Sequence, residues 1–209
     1  MAFVKSENIY EARIFKTFLE AQKVFENLDE DESSRIEALD YILNHRELTY
    51  VLETLLKNYS EASDKDHSLI DHAFSSFHTK PKREDDYEII FKLLESSNAY
   101  LRNKAITFLQ EYGKSAKFFI QKLLNDKSRD IRIFAVNILG DVKYEDSRDM
   151  LIKLIEDEDD INVLMTAIDY IGEIGEPKDI DLLKRLNEKF SNEPYVTFGI
   201  NLAIDKIKG

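Results

Sequence analysis

The sequence predicts an all-α chain, an α-solenoid of five to six stacked antiparallel helix pairs, and three observations predict it. A short apolar motif recurs around a small or aliphatic pivot at Ala38, Ala73, Ala105, Ala135, Ala167 and Ile200, at intervals of 35, 32, 30, 32 and 33 residues. Periods of this size mark arrays whose units bury their apolar faces only by stacking on a neighbour. Four residues after each pivot stand Ile42, Phe77, Leu109, Leu139, Ile171 and Ile204, and four before stand Ser34, Leu69, Leu101, Ile131, Val163 and Val196. Steps of four stay on one helix face, so each motif is a helix with the same buried stripe, broken only at Ser34. The third observation is composition: 43% hydrophobic residues supply a core, while 3 Pro and 6 Gly leave few helix breakers among 209 residues.

Residues 8–28 read as one long amphipathic helix, with Ile14, Phe18, Ala21, Phe25 and Leu28 on one face, suited to covering the open end of the stack. Asp29 to Ser34 reads as a turn in which Ser33 or Ser34 caps the helix carrying Ala38. Helices follow near 47–59 and 67–78, separated by a polar stretch from Ser60 to Asp66. Thr79 to Asp86 is the clearest break, because Pro81 disfavours helix at Lys80 and charges follow. The expected organisation is therefore residues 1–80 as degenerate repeats with a cap, 81–86 as a hinge, and 87–209 as a regular array. Within that array helices are expected at 87–96 and 99–112, 115–125 and 129–142, 147–157 and 160–174, and 178–190 and 194–207. Gly113 and Gly175 suit helix C-caps, and Pro177 sits where a helix begins.

The third to fifth motifs resemble HEAT repeats, particularly the short bacterial type also found in bilin-lyase-like proteins. Asp130 to Val142, with Ile131-Arg132, Ala135 and Leu139-Gly140, is similar to the family pattern of acid, aliphatic, Arg, Ala and Leu-Gly. Val163 to Gly175 follows it with Ala167, Ile171-Gly172 and Ile174-Gly175, and Leu101-Arg102 with Ala105, Leu109 and Gly113 is a third match. The family Arg is present at Arg35, Arg102 and Arg132 and replaced at Ile70, Leu164 and Thr197, so copies one, two and six are degenerate. The resemblance covers residues 87–209 well and 8–80 weakly; it implies a scaffold and leaves the partner open. It also implies an alternative, a lyase- or chaperone-like accessory protein that handles a cofactor or prosthetic group.

Charge narrows the partners. The chain has 29 basic and 41 acidic side chains, a net charge of −12. Phosphate backbones are met by clustered Lys and Arg, so nucleic acid is a poor partner, and the repeat-built DNA glycosylases, which need a basic groove, are not a match. Cysteine is absent, which removes disulfides and thiolate chemistry. The stretch Met1 to Glu7 has no apolar core and no run of 18 apolar residues follows, so the expectation is a cytoplasmic chain that does not span a membrane.

No catalytic constellation is expected. His45, His67, His72 and His78 lie close in sequence, but no HExxH occurs, and the absence of any His-Glu pair sets the chain apart from HEAT-like iron hydroxylases. No metal site and no cofactor is expected. Glu156-Asp157-Glu158-Asp159-Asp160 is a consecutive run in a turn, where neighbours diverge and stay solvated, without the spacing of a calcium loop.

The candidate surface is the face opposite the buried stripe. Positions two and six after each pivot lie about 200° and 240° around the helix. Position two reads Asp40, Ser75, Thr107, Asn137, Asp169 and Leu202, and position six reads Asn44, Thr79, Glu111, Asp141, Glu173 and Lys206. The expected binding residues are Asp40, Glu111, Asn137, Asp141, Asp169 and Glu173 on the concave side, with Phe134 as an apolar anchor beside them. An acidic stripe of this kind suits a basic protein or peptide, and the function expected is a non-enzymatic scaffold, adaptor, assembly factor or immunity protein.

Overall fold

In the computed structural model of the protein, Ala38, Ala73, Ala105, Ala135, Ala167 and Ile200 are all 0% exposed. The structure describes residues 12–46, 48–59, 67–76, 84–112 and 116–209, so Phe77, His78, Thr79, Gly113 and the polar stretch 60–66 lie outside the described residues. Residues 79–83 of the expected break do too, and a helix is already under way at Glu84. Among the described residues there are twelve α-helices and no strand: α1 Phe18–Glu26, α2 Glu32–Leu43, α3 Leu48–Tyr59, α4 His67–Ser75, α5 Glu84–Leu94, α6 Ala99–Tyr112, α7 Lys117–Leu123, α8 Arg129–Val142, α9 Ser147–Asp157, α10 Ile161–Ile174, α11 Ile180–Lys189 and α12 Pro194–Lys208. No helix among them is long and apolar enough to cross a membrane.

The chain divides into two compact units, one of residues 1–80 with 88–102 and one of 81–87 with 103–209. In the first, α2 packs on α1, α3 and α4. Its core joins Phe25, Leu39, Ile42, Leu52, Leu55, Leu69 and Leu101, all 0% exposed, to a buried cation, Arg35 at 2%. Arg35 Nε donates to the Phe25 carbonyl at 3.4 Å, and the guanidinium lies 5.5 Å from the Tyr59 ring centre. Asn98, also buried, donates to the Tyr59 carbonyl at 2.8 Å and accepts from the Tyr100 N–H, tying the end of α3 to the start of α6.

The second unit has the layered order of an α-solenoid. Helices α8, α10 and α12 pack in sequence, and α7, α9 and α11 pack beside their partners α8, α10 and α12. Ile131, Leu139, Val163, Ile171 and Val196 extend the pivot column at 0–2% exposure, each apolar side chain contributing about 1.5–3 kcal/mol by leaving water. Two glycines set the helix spacing. A Cβ on Gly140 would fall 1.9 Å from Tyr170 Cε1, and one on Gly172 would fall 3.2 Å from the Ala203 Cα, so α8–α10 and α10–α12 meet backbone against ring and backbone.

Charged pairs step from layer to layer along the starts of the helices. Lys117 on α7 meets Asp146 before α9 at 2.6 Å, and Arg148 on α9 holds Asp179 before α11 in a bidentate pair. Arg132 on α8 holds Glu158 before α10 at 2.7 and 2.9 Å. Its Nη1 also donates to the carbonyls of Asp126 and Lys127, six and five residues back. Arg102 repeats this contact to Ser96 and Ser97, which accounts physically for an arginine at this position of the motif.

Three local expectations are corrected, and one, the Gly175 cap, is met. Residues 12–17 are not helical: Thr17 caps α1 in a reciprocal capping box with Glu20, which fixes the start at Phe18 and leaves Ile14 86% exposed. The cap of α2 is Asp31, whose carboxylate accepts from the Ser34 N–H at 2.9 Å, and Ser33 and Ser34 lie inside the helix. Gly175 does cap α10, donating to the Ile171 carbonyl, but with extended backbone. The acidic run 156–160 is not uniformly solvated. Glu158 is 7% exposed, because Arg132 and the N–H groups of Asp159 and Asp160 all bind it, and Asp160 caps α10.

Candidate functional site

Three of the expected binding residues lie around one side chain that the sequence pattern did not single out. Asp141 ends the exposed face of α8, and Asp169 and Glu173 lie a turn apart on the exposed face of α10. Between them stands Tyr170, held by its ring against Gly140. Burial raises the Tyr170 phenol above its usual pKa, and the fields of Asp141, Glu173 and Asp169 raise it further, so all three carboxylates act on one hydroxyl. Carboxylates so grouped repel one another and favour a cation beside them, and the half-buried ring offers a cation–π face in the same place.

The other candidates are placed as follows. Glu111 is exposed near the end of α6. Gln110 beside it donates its Nε2 to Asp141, orienting the carboxylate that heads the cluster. Asn137 and Phe134 are half-buried on α8. Asp40 belongs to the other compact unit and is already engaged, its Oδ1 2.6 Å from His72 Nε2.

The second unit also contains a cleft of about 670 Å³ where the α7–α8 and α9–α10 turns adjoin. Leu124, Met150 and Leu154 form its apolar part, and Arg132, Glu158 and Asp160 are among its polar lining. Hydrogen bonding to Glu158 holds the Arg132 guanidinium above its usual pKa, against the opposing effect of burial. The two side chains thus satisfy each other, Arg132 donating to both Glu158 oxygens. Among the described residues, no group of His, Asp and Glu is arranged to hold a metal ion.

One match to a family model agrees with the layered packing of the second unit. Residues 116–193 match the sequence model of HEAT repeats. No curated protein matches the chain. Among solved structures it is similar to an engineered protein whose crystal structure was determined by the Northeast Structural Genomics Consortium, at 16% identity, covering 90% of this chain and 96% of that one with a TM-score of 0.41.

Proposed function

We propose that this chain, which carries HEAT repeats over residues 116–193, is a non-enzymatic binding scaffold whose acidic face recognises a basic protein or peptide. Repeat scaffolds of this type commonly serve protein interaction, so a protein partner is the coarse reading; its basic character is the finer one. One observation carries the finer reading: Asp141 on α8 and Asp169 and Glu173 on the adjacent α10 are all exposed, beside the Tyr170 ring that packs on Gly140. Their mutual repulsion is relieved by an incoming Lys or Arg, and exposed charges of this kind raise association rates at low salt. A cytoplasmic adaptor, assembly factor or immunity protein that covers a basic surface fits this description.

The cleft at Arg132 is the feature an accessory protein for a prosthetic group would use. Its buried carboxylate, Glu158, is already bound by Arg132 and two backbone N–H groups, which leaves both of its oxygens engaged within the protein. The scaffold reading is accordingly the one retained.

The test is affinity capture from an extract of the native cell, comparing the chain with its Asp141→Lys, Asp169→Lys, Glu173→Lys triple variant. All three side chains are exposed, so helicity and melting temperature are expected to persist while the salt-sensitive partner is lost. Retention of the same partner by the folded triple variant refutes the acidic-face reading.

A further inference from the structure

The exposed face of the second unit changes character from α8 to α12. Successive helix residues turn by about 100°, so a residue two after the pivot lies about 200° around the helix and one six after lies about 240°. Asn137 and Asp141 hold these places on α8, Asp169 and Glu173 on α10, and Leu202 and Lys206 on α12. All are exposed except the half-buried Asn137. The contacts between the helices keep the three sets in order. Helix α10 meets α8 through the Tyr170 ring on Gly140, and it meets α12 through Gly172 against Ala203 and through Met165 against Gly199. Leu202 therefore holds on α12 the place that Asp169 holds on α10, one helix spacing of about 8–10 Å away.

Tyr195, five residues before the pivot, lies about 220° around α12 and so faces the same way as Leu202. The two side chains are 65% and 44% exposed. Phe198 and Asp205 lie at about 160° and 140°, turned farther from α10 and outside this face. Lys206 borders the patch on its other side: its Cδ lies over Gly172, 3.2 Å from where a Cβ there would be. Its charge ends the acidic row, so a second basic group is disfavoured at the α12 end and an apolar one is not.

A chain segment drawn to the three carboxylates passes over this patch, because about 10 Å is three residues of extended backbone. A second copy of the protein is not suited to it: a two-fold contact through this face sets the same three carboxylates near their own copies. Resting on the acidic-face reading above, we propose that Tyr195 and Leu202 are an apolar subsite of the same docking surface. Its occupant is a segment of the basic partner that carries a large apolar side chain three residues from a Lys or Arg. The carboxylates steer the cation to Tyr170, and the apolar side chain, laid on Tyr195 and Leu202, slows its release. Charge alone admits any basic chain; the added subsite selects among them.

Fluorescence anisotropy of the full chain with labelled peptides tests this at an ionic strength of about 20 mM, where exposed charges are little screened. The probes carry Lys-Arg-Ser-Ser-Leu, the reversed order Leu-Ser-Ser-Arg-Lys, and the counterpart of each with Ser in place of Leu. In one of the two orders the Leu peptide is expected to bind about 10-fold more tightly than its Ser counterpart, as burial of one apolar side chain gives. Leu202→Ser, at an exposed site, is expected to bring that ratio close to one, and Phe198→Ser to leave it as it was. Equal binding of the Leu and Ser peptides overturns the subsite and leaves the acidic-face reading standing; failure of every peptide to bind overturns both. A preference for Leu that survives Leu202→Ser overturns the proposal. So does a chain whose self-association is lost in Leu202→Ser, which puts a second copy on the patch.

Discussion

Arg35 and Arg132 hold the same position three residues before a pivot alanine, yet the two regions use it in different ways. In the C-terminal unit Arg132 stays at the edge of the core, binds its own preceding turn and reaches forward to Glu158 in the next layer. In the N-terminal unit Arg35 is drawn inside, reaching ten residues back to Phe25 and lying over Tyr59. The regular array ties one layer to the next through its arginine, whereas the N-terminal helices use theirs as a core side chain. A column of matching residues therefore fixes where a side chain starts; the neighbouring element decides what it does.

The sharpest way to break the comparison is to put a charge into the regular stripe. Leu139→Asp buries a carboxylate at a site that is 0% exposed, and a loss of more than about 4 kcal/mol is expected. Ile14→Asp, at a residue once expected to be on the buried face of a terminal helix, is expected to change stability by less than about 0.5 kcal/mol, because Ile14 is 86% exposed. Urea denaturation of both variants checks the pair of outcomes.

That contrast also marks what the sequence made legible. The six pivots and the flanking apolar positions were readable because a step of four is a property of one helix and needs no knowledge of its neighbours. The helices from Ala99 onward all fall within two residues of expectation at each end. The beginning of the chain was not readable in the same way: Ile14 continues the apolar rhythm, but the capping box of Thr17 and Glu20 outweighs it locally. At the candidate site the exposed positions of Asp141, Asp169 and Glu173 follow from helix geometry. Tyr170 does not, because its place depends on Gly140, 30 residues away, leaving room for its ring. Glu158 was hidden for a related reason, since only the Arg132 of the preceding layer distinguishes it from the acids around it.

A next test sharpens the two arginine roles. Arg132→Ala strands the Glu158 carboxylate, which is 6% exposed at its side chain, and an expected cost of about 3 kcal/mol follows from leaving a buried charge unpaired. The added Glu158→Gln substitution is expected to recover part of that loss. Arg35→Ala removes a buried side chain, and a cost of about 3 kcal/mol is expected from the cavity and the lost hydrogen bond to the Phe25 carbonyl. No Glu158 substitution is expected to recover it. Equal rescue of both would erase the distinction drawn here.

Acid offers a smaller but signed effect. Burial alone raises the Asp179 carboxyl, but Arg148, the Glu176 N–H and Lys178 outweigh it and hold the pKa below its usual value. A carboxyl depressed in the folded state contributes stability that is fully present above its unfolded pKa, near about 3.9, and that disappears as pH falls through the lower folded value. Stability measured by urea between about pH 6 and pH 2.5 is expected to decline less steeply in Asp179→Asn than in the parent chain. An unchanged slope would remove the Arg148–Asp179 step from the ionic contacts between layers.

The smallest expected effect discriminates two tyrosines of the C-terminal unit. Tyr144 is pushed up to about 12, by burial first and then by Tyr87 and Asp146. Tyr170 is raised by burial and then by Asp141, Glu173 and Asp169. Replacing these three acids by Asn, Gln and Asn respectively removes the anions and keeps the shape of the surface. The phenolate of Tyr170 then forms more easily, so its titration moves to lower pH, while the part due to burial remains. Tyr144 is expected to keep its position, since none of its named neighbours has changed. With ring-labelled tyrosine, and Tyr170→Phe to assign the resonance, NMR titration resolves the two among the 10 tyrosines of the chain. Added salt is expected to move Tyr170 in the same direction in the parent chain, because exposed carboxylates are screened over about 8 Å at physiological ionic strength. A Tyr170 titration that ignores both salt and substitution would mean that the three carboxylates do not act on one point, and the acidic face would lose its centre.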